Sequence, residues 1–139
     1  MFLQQLSIGL SIIQPLADPF QERNLMTSNN INTLDVHELK RRRDAQPDLC
    51  MIDVREPDEW HDKHIPNTLH IPKDTIISTI DSHDIDRETP IYLFCRGGTR
   101  SLYAAQALLS LGYKEVYSID GGITAWEAAG YPCVFPAIS

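Results

Sequence analysis

Ile91-Tyr92-Leu93-Phe94-Cys95-Arg96-Gly97-Gly98-Thr99-Arg100-Ser101 is the stretch on which the fold turns. Its first four residues form a continuous apolar run, the pattern of a strand buried on both faces. From Ser101 to Leu111 the pattern becomes helical, with Leu102, Ala105, Leu108 and Leu109 predicted on one side and Gly112 as the stop. The residues between must turn sharply, and Gly97 and Gly98 are expected to allow positive φ there. Strand, tight loop and helix in that order describe a βα unit.

Outward from this unit the same alternation repeats. Leu34 to Lys40 reads as a short strand or turn entering a helix, which ends in Lys40-Arg41-Arg42-Arg43. Cations at a helix C-terminus complement its dipole, so this run is read as a solvated face and not as an RNA-binding patch. Leu49 to Val54 is a second buried strand, followed by Pro57-Asp58-Glu59-Trp60 as a first helical turn. Thr68 to Ile71 is a strand stopped by Pro72, and Asp74 to Ile80 a helix. Val116 to Ile119 is the last strand, and Ile123 to Ala129 a helix ended by Gly130. Short strands alternating with helices imply an α/β fold with a mainly parallel sheet covered on both faces. Ligands in such sheets sit beyond the carboxyl ends of the strands, here just after Phe94.

Composition narrows the function. The chain has 139 residues, enough for one domain of ordinary size, with 42% hydrophobic residues. A net charge of −7 argues against a broad nucleic-acid surface, so no nucleic-acid partner is expected. Cys50, Cys95 and Cys133 are an odd, widely spaced set with no C-x-x-C pair. They describe neither a disulfide framework nor a zinc ribbon, and suit the reducing cytoplasm. Leu6 to Ile13 is too short to span a bilayer, and the first basic residue is Arg23, so neither a membrane anchor nor a secretory leader ending near Ala17 is expected. Residues 1–30 read instead as an extension, linker-like over 14–32, with Met26 an alternative start. The folded unit is expected over 31–135 and a tail over 136–139.

The chemistry is expected in the central loop. A tight turn points backbone N–H groups inward as an anion nest, and the following helix N-terminus adds partial positive charge. Arg96 and Arg100 contribute formal charge. All of these favour a thiolate, so Cys95 should have a depressed pKa and act as a nucleophile. Cys50 is expected to be inert, and Cys133 to be an exposed candidate for a second acceptor. Trp60 and Trp126 read as core anchors. His61 and His64 could share a helix face, but no cysteine–carboxylate set completes a metal site, and none is expected.

Cys95-x-x-Gly98-x-Arg100-Ser101 resembles the active-site loop of rhodanese-domain sulfurtransferases. Asp53 to Trp60 with His64-Ile65-Pro66 is similar to that family's first signature. Asp120 to Trp126 with Gly130-Tyr131-Pro132 is similar to its C-terminal one. The resemblance spans roughly residues 31–135 and implies a three-layer α/β/α fold around a five-stranded, mainly parallel sheet. It implies that Cys95 takes sulfur from a donor such as thiosulfate and passes it, as a persulfide, to cyanide or a thiol, including a sulfur-relay protein. It implies no cofactor. Arg96, Gly97, Gly98, Thr99 and Arg100 would form the persulfide cradle, with Arg100 bracing the loop and binding donor anion, while Asp53 and Arg55 would hold it through polar contacts. Asn67-Thr68 stands where the family has Gly-Ala, and His70 where Asn is common.

Two rival functions share these features. Cysteine-dependent phosphatases place five residues between cysteine and arginine, whereas four separate Cys95 from Arg100. Non-catalytic rhodanese-like interaction modules often lack the cysteine, which this chain retains.

Overall fold

The computed structural model describes residues 31–136; the expected extension, the candidate start at Met26 and most of the expected tail lie outside them. Five strands form one sheet in the order β1-β5-β4-β2-β3, and every neighbouring pair is parallel. They are β1 (Ile31–Leu34), β2 (Cys50–Asp53), β3 (Leu69–His70), β4 (Ile91–Phe94) and β5 (Val116–Ile119). The helices are α1 (Val36–Ala45), α2 (Pro57–Asp62), α3 (Ile76–Thr79), α4 (Thr99–Ser110) and α5 (Gly122–Ala128). The predicted α/β class and parallel sheet are therefore observed.

Side-chain alternation along the central strands divides the core into two. Ile52, Ile91 and Leu93 face one layer with Ile76, Ala104, Ala105 and Leu108. Met51, Tyr92 and Phe94 face the other with Val36, Leu39, Ile123 and Trp126. All four residues of β4 are buried, which explains its unbroken apolar sequence.

Several local expectations are corrected. Helix α4 begins at Thr99, two residues early, and buries Ser101, Ala104, Ala105 and Leu108; Leu102 is exposed. The predicted helix over Asp74–Ile80 is a single α-turn between the 3₁₀ segments Lys73–Thr75 and Ile80–His83. Hydroxyls of Thr75, Ser78, Thr79 and Ser82 donate to carbonyls three or four residues back, which competes with regular helix geometry. Nor is the basic run only a solvated face. Arg42 packs over the rings of Tyr92 and Tyr117, and Arg43 donates to the Pro66 carbonyl. Trp126 is a core anchor, but Trp60 is only half-buried, stacked on His64 and His70 at centroid distances of 3.6 and 4.9 Å. Asn67 adopts φ of 59°, in the left-handed region that asparagine tolerates better than most residues, so the turn survives without glycine.

Candidate active site

Strand β4 delivers Cys95 to the carboxyl edge of the sheet, where the side chain is 1% exposed. Its Sγ accepts the Gly98 N–H at 3.0 Å and lies 3.7 Å from the Ser101 hydroxyl. Burial alone would raise the thiol pKa. The backbone N–H and hydroxyl of Ser101, together with the N–H groups of Gly98 and Gly97, outweigh it and hold the pKa below the ordinary thiol value. Ser101 is itself anchored: its hydroxyl lies 3.1 Å from the Gly98 carbonyl and 2.7 Å from the Ser118 hydroxyl on β5.

The two glycines of the loop play different parts. Gly98 has φ of 114° and caps α4, as a sharp turn requires. Gly97 does not have positive φ, and a Cβ there would meet nothing within 4 Å, so the expected positive φ is found at Gly98 and not at Gly97. Thr99 opens the first turn of α4 and is exposed.

What holds the loop comes from distant segments. Ile123 N–H donates to the Cys95 carbonyl at 2.8 Å, and Thr124 N–H to the Arg96 carbonyl at 3.1 Å. Occupying these carbonyls from α5 leaves the loop amides to face the sulfur. The approach is so close that a Cβ on Gly122 would stand 2.3 Å from the Cys95 oxygen.

Arg100 is braced by Glu59 in a two-point ion pair, with N–O distances of 2.6 and 2.9 Å. The Arg100 hydrogen bond, with help from the Glu56 N–H, lowers the Glu59 pKa to about 2 despite desolvation. Glu59 was not singled out from the sequence. Its signal was local: with Glu56 it forms a capping box at the start of α2, which fixes the carboxylate beside the loop.

This pair carries a testable pH dependence. The folded pKa of Glu59 lies below its unfolded value near 4.3, so its contribution is complete above that value and lost as pH falls through about 2. After solvent screening of this partly exposed pair, Glu59→Gln should cost on the order of 1 kcal/mol at neutral pH. Urea unfolding at stepped pH should show the wild-type advantage shrinking below pH ~4; an advantage constant down to pH ~2 would contradict the assignment.

Asp53 and Arg55 form a buried pair, 0% and 3% exposed, joined at 2.8–3.1 Å. Arg55 also donates to the Lys63 carbonyl at 2.7 Å, while its own carbonyl contacts His70 Nε2 at 2.8 Å. Among the described residues these bonds tie β2 to the end of α2 and to β3, and none runs directly to the Cys95 loop. Beside the loop lies a cavity of about 340 Å³, lined by Arg55, Glu59, Asp62, Lys63, Arg96 and residues of α5.

The other candidates fall outside this constellation. All three cysteines are unpaired. Burial raises Cys50 to about 11 and pushes Cys133 up as well, and Cys133 is half-buried, so neither shares the activation of Cys95. Helix α2 ends at Asp62, so His61 and His64 share no helix face. Among the described residues no group of three His, Cys, Asp or Glu could hold a metal ion, and no helix is long and apolar enough to cross a membrane.

Comparison with known proteins agrees with this geometry. The profile of the rhodanese-like domain matches residues 35–129. A protein of Tolumonas auensis named thiosulfate sulfurtransferase GlpE is 36% identical over 81 residues, 58% of this chain and 74% of that protein. The solution structure of a rhodanese-like domain from Anabaena superposes with a TM-score of 0.68 at 27% identity, covering 77% of this chain and 86% of that one. The crystal structure of a Staphylococcus aureus rhodanese-like domain protein gives 0.63 at 29% identity, covering 68% and 90%. With a cysteine-centred loop, both flanking signatures and a matching sheet in place, this chain belongs to the rhodanese-like domain family.

Proposed function

We propose that this chain is a sulfurtransferase that moves sulfane sulfur through a persulfide on Cys95. The observation that carries the reading is the sulfur itself, buried, ringed by N–H donors and shifted toward the thiolate. Cys95 thiolate attacks the outer sulfur of a donor such as thiosulfate; a new S–S bond forms, the donor's S–S bond breaks, and sulfite leaves with the electron pair. The loop amides offset the negative charge left on the terminal sulfur. An acceptor, cyanide or a thiol of a small molecule or relay protein, then attacks that sulfur, and Cys95 departs as thiolate. No step requires a metal or organic cofactor. Three unpaired cysteines suit work in the reducing cytoplasm. Intact-mass analysis after thiosulfate treatment should find one added sulfur, mapped to Cys95; an unmodified protein would refute the reading.

Arg96 follows the nucleophile, is exposed, and has no ion-pair partner among the described residues. It is suited to steer a dianion to the loop. Arg96→Glu should cost about 1–2 kcal/mol in donor attraction, raising KM for thiosulfate roughly tenfold, with a smaller effect on a less charged persulfide donor. Equal effects on both donors would make Arg96 a shaper of the loop instead.

A further inference from the structure

Strand β5 buries a hydroxyl that core packing does not require. Ser118 is 2% exposed and pairs with Leu93 of β4 in the sheet register. It shares a strand face with Val116, which lies in the same core layer as Ala104, Ala105 and Leu108 of α4. Apolar residues of similar size at positions 101 and 118 would fill this space with no hydrogen bond to satisfy.

One arrangement of protons satisfies both serines. Ser101 Oγ stands 2.7 Å from Ser118 Oγ, 3.1 Å from the Gly98 carbonyl and 3.7 Å from Cys95 Sγ. A carbonyl and a thiolate only accept. Among the described residues, the Ser118 hydroxyl has Ser101 as its one hydrogen-bond partner. If Ser101 donated to Ser118, the buried Ser118 proton would have no acceptor, and neither carbonyl nor sulfur would receive the Ser101 proton. With Ser118 as donor, both protons are placed. The Ser101 proton then serves the Gly98 carbonyl while Cys95 is a thiol, and turns to the sulfur when Cys95 is a thiolate. A hydroxyl that accepts a hydrogen bond also donates more strongly. Burial raises the Cys95 thiol pKa, and the Ser101 hydroxyl is among the groups that lower it.

We infer that Ser118 is a positioning residue: by donating to Ser101 Oγ it commits the Ser101 proton to the side of the nucleophile and stabilises the Cys95 thiolate without touching it. This rests on Cys95 being the nucleophile of the sulfurtransferase reading.

The test measures alkylation of Cys95 by iodoacetamide across pH on the full chain, read by peptide mass so that Cys50 and Cys133 are counted separately. Wild type, Ser118→Ala, Ser101→Ala and the double variant are compared. Alanine is the smallest change that removes each hydroxyl. Ser118→Ala should raise the midpoint by about half to one pH unit, slowing alkylation about three- to tenfold below it and leaving the alkaline plateau in place. Ser101→Ala should raise the midpoint at least as far, and adding Ser118→Ala to it should change nothing more. An unchanged midpoint in Ser118→Ala would make Ser118 plain core packing, whatever the variant does to thermal stability. Additive shifts in the double variant would mean that Ser118 does not act through Ser101. Either result overturns the inference. Alkylation needs no sulfur donor, so these outcomes stand apart from the sulfurtransferase reading, which fails separately if thiosulfate adds no sulfur to Cys95.

Discussion

Cys95→Ser should reduce thiosulfate-dependent sulfur transfer to background, while Cys50→Ser and Cys133→Ser retain most of it. A serine oxygen in the same ring of amides cannot store sulfane sulfur, so the loss is one of chemistry and not of binding. The variant should still fold, since hydroxyl for thiol is a small change beside the Gly98 N–H and the Ser101 hydroxyl. Mass analysis of all three variants separates the cases: only Cys95→Ser should fail to gain sulfur. The lowered thiol pKa adds a kinetic signature. Loading should stay fast at pH values below the ordinary thiol range near 8.5, and fall only where Cys95 becomes protonated. Activity that survives in Cys95→Ser would place the nucleophile elsewhere.

Gly122→Ala should be nearly as severe, although residue 122 touches no substrate. Its φ of 54° lies in the left-handed region, and the added Cβ would meet backbone at Cys95 and Arg96 within 2.7 Å. Neither contact is with a flexible side chain, so α5 or the loop must move. The strain should cost about 3 kcal/mol or more, and displacing the loop amides should cut transfer by about a hundredfold. Gly97→Ala is the control, because that position has open space and ordinary φ. Thermal unfolding and initial rates on both variants test the contrast, and comparable losses would undo the account of how α5 secures the loop.

These two glycines show what was legible in the sequence and what was not. The run Ile91–Phe94 announced its own strand, because a segment buried on both faces has no polar positions to confuse the pattern. The loop announced itself through residue types with few other uses in that arrangement. Partners far apart in sequence were invisible: Glu59 and Arg100 are 41 positions apart, Ser101 and Ser118 are 17. The phase of α4 departs from its apolar pattern for a related reason. A polar residue, Ser101, occupies a core-facing position because Cys95 and Gly98 need its hydroxyl, and Leu102 is left facing solvent. The helix predicted over Asp74–Ile80 is broken because its serines and threonines, with Ser82 beyond it, bond back to the chain.

The junction between α5 and the loop also limits how readily such a domain could change trade. A phosphoryl group is bulkier than a sulfur atom and calls for a wider ring of amides, with one more residue between the cysteine and the arginine. Here the carbonyls of Cys95 and Arg96 are already fastened to Ile123 and Thr124, and Arg100 to Glu59. An insertion would have to be absorbed while the ring is clamped at its base and at its far end. Widening it is therefore a coordinated change at three separate places in the chain, so the size of the cradle is set by the whole scaffold more than by the seven residues of the loop.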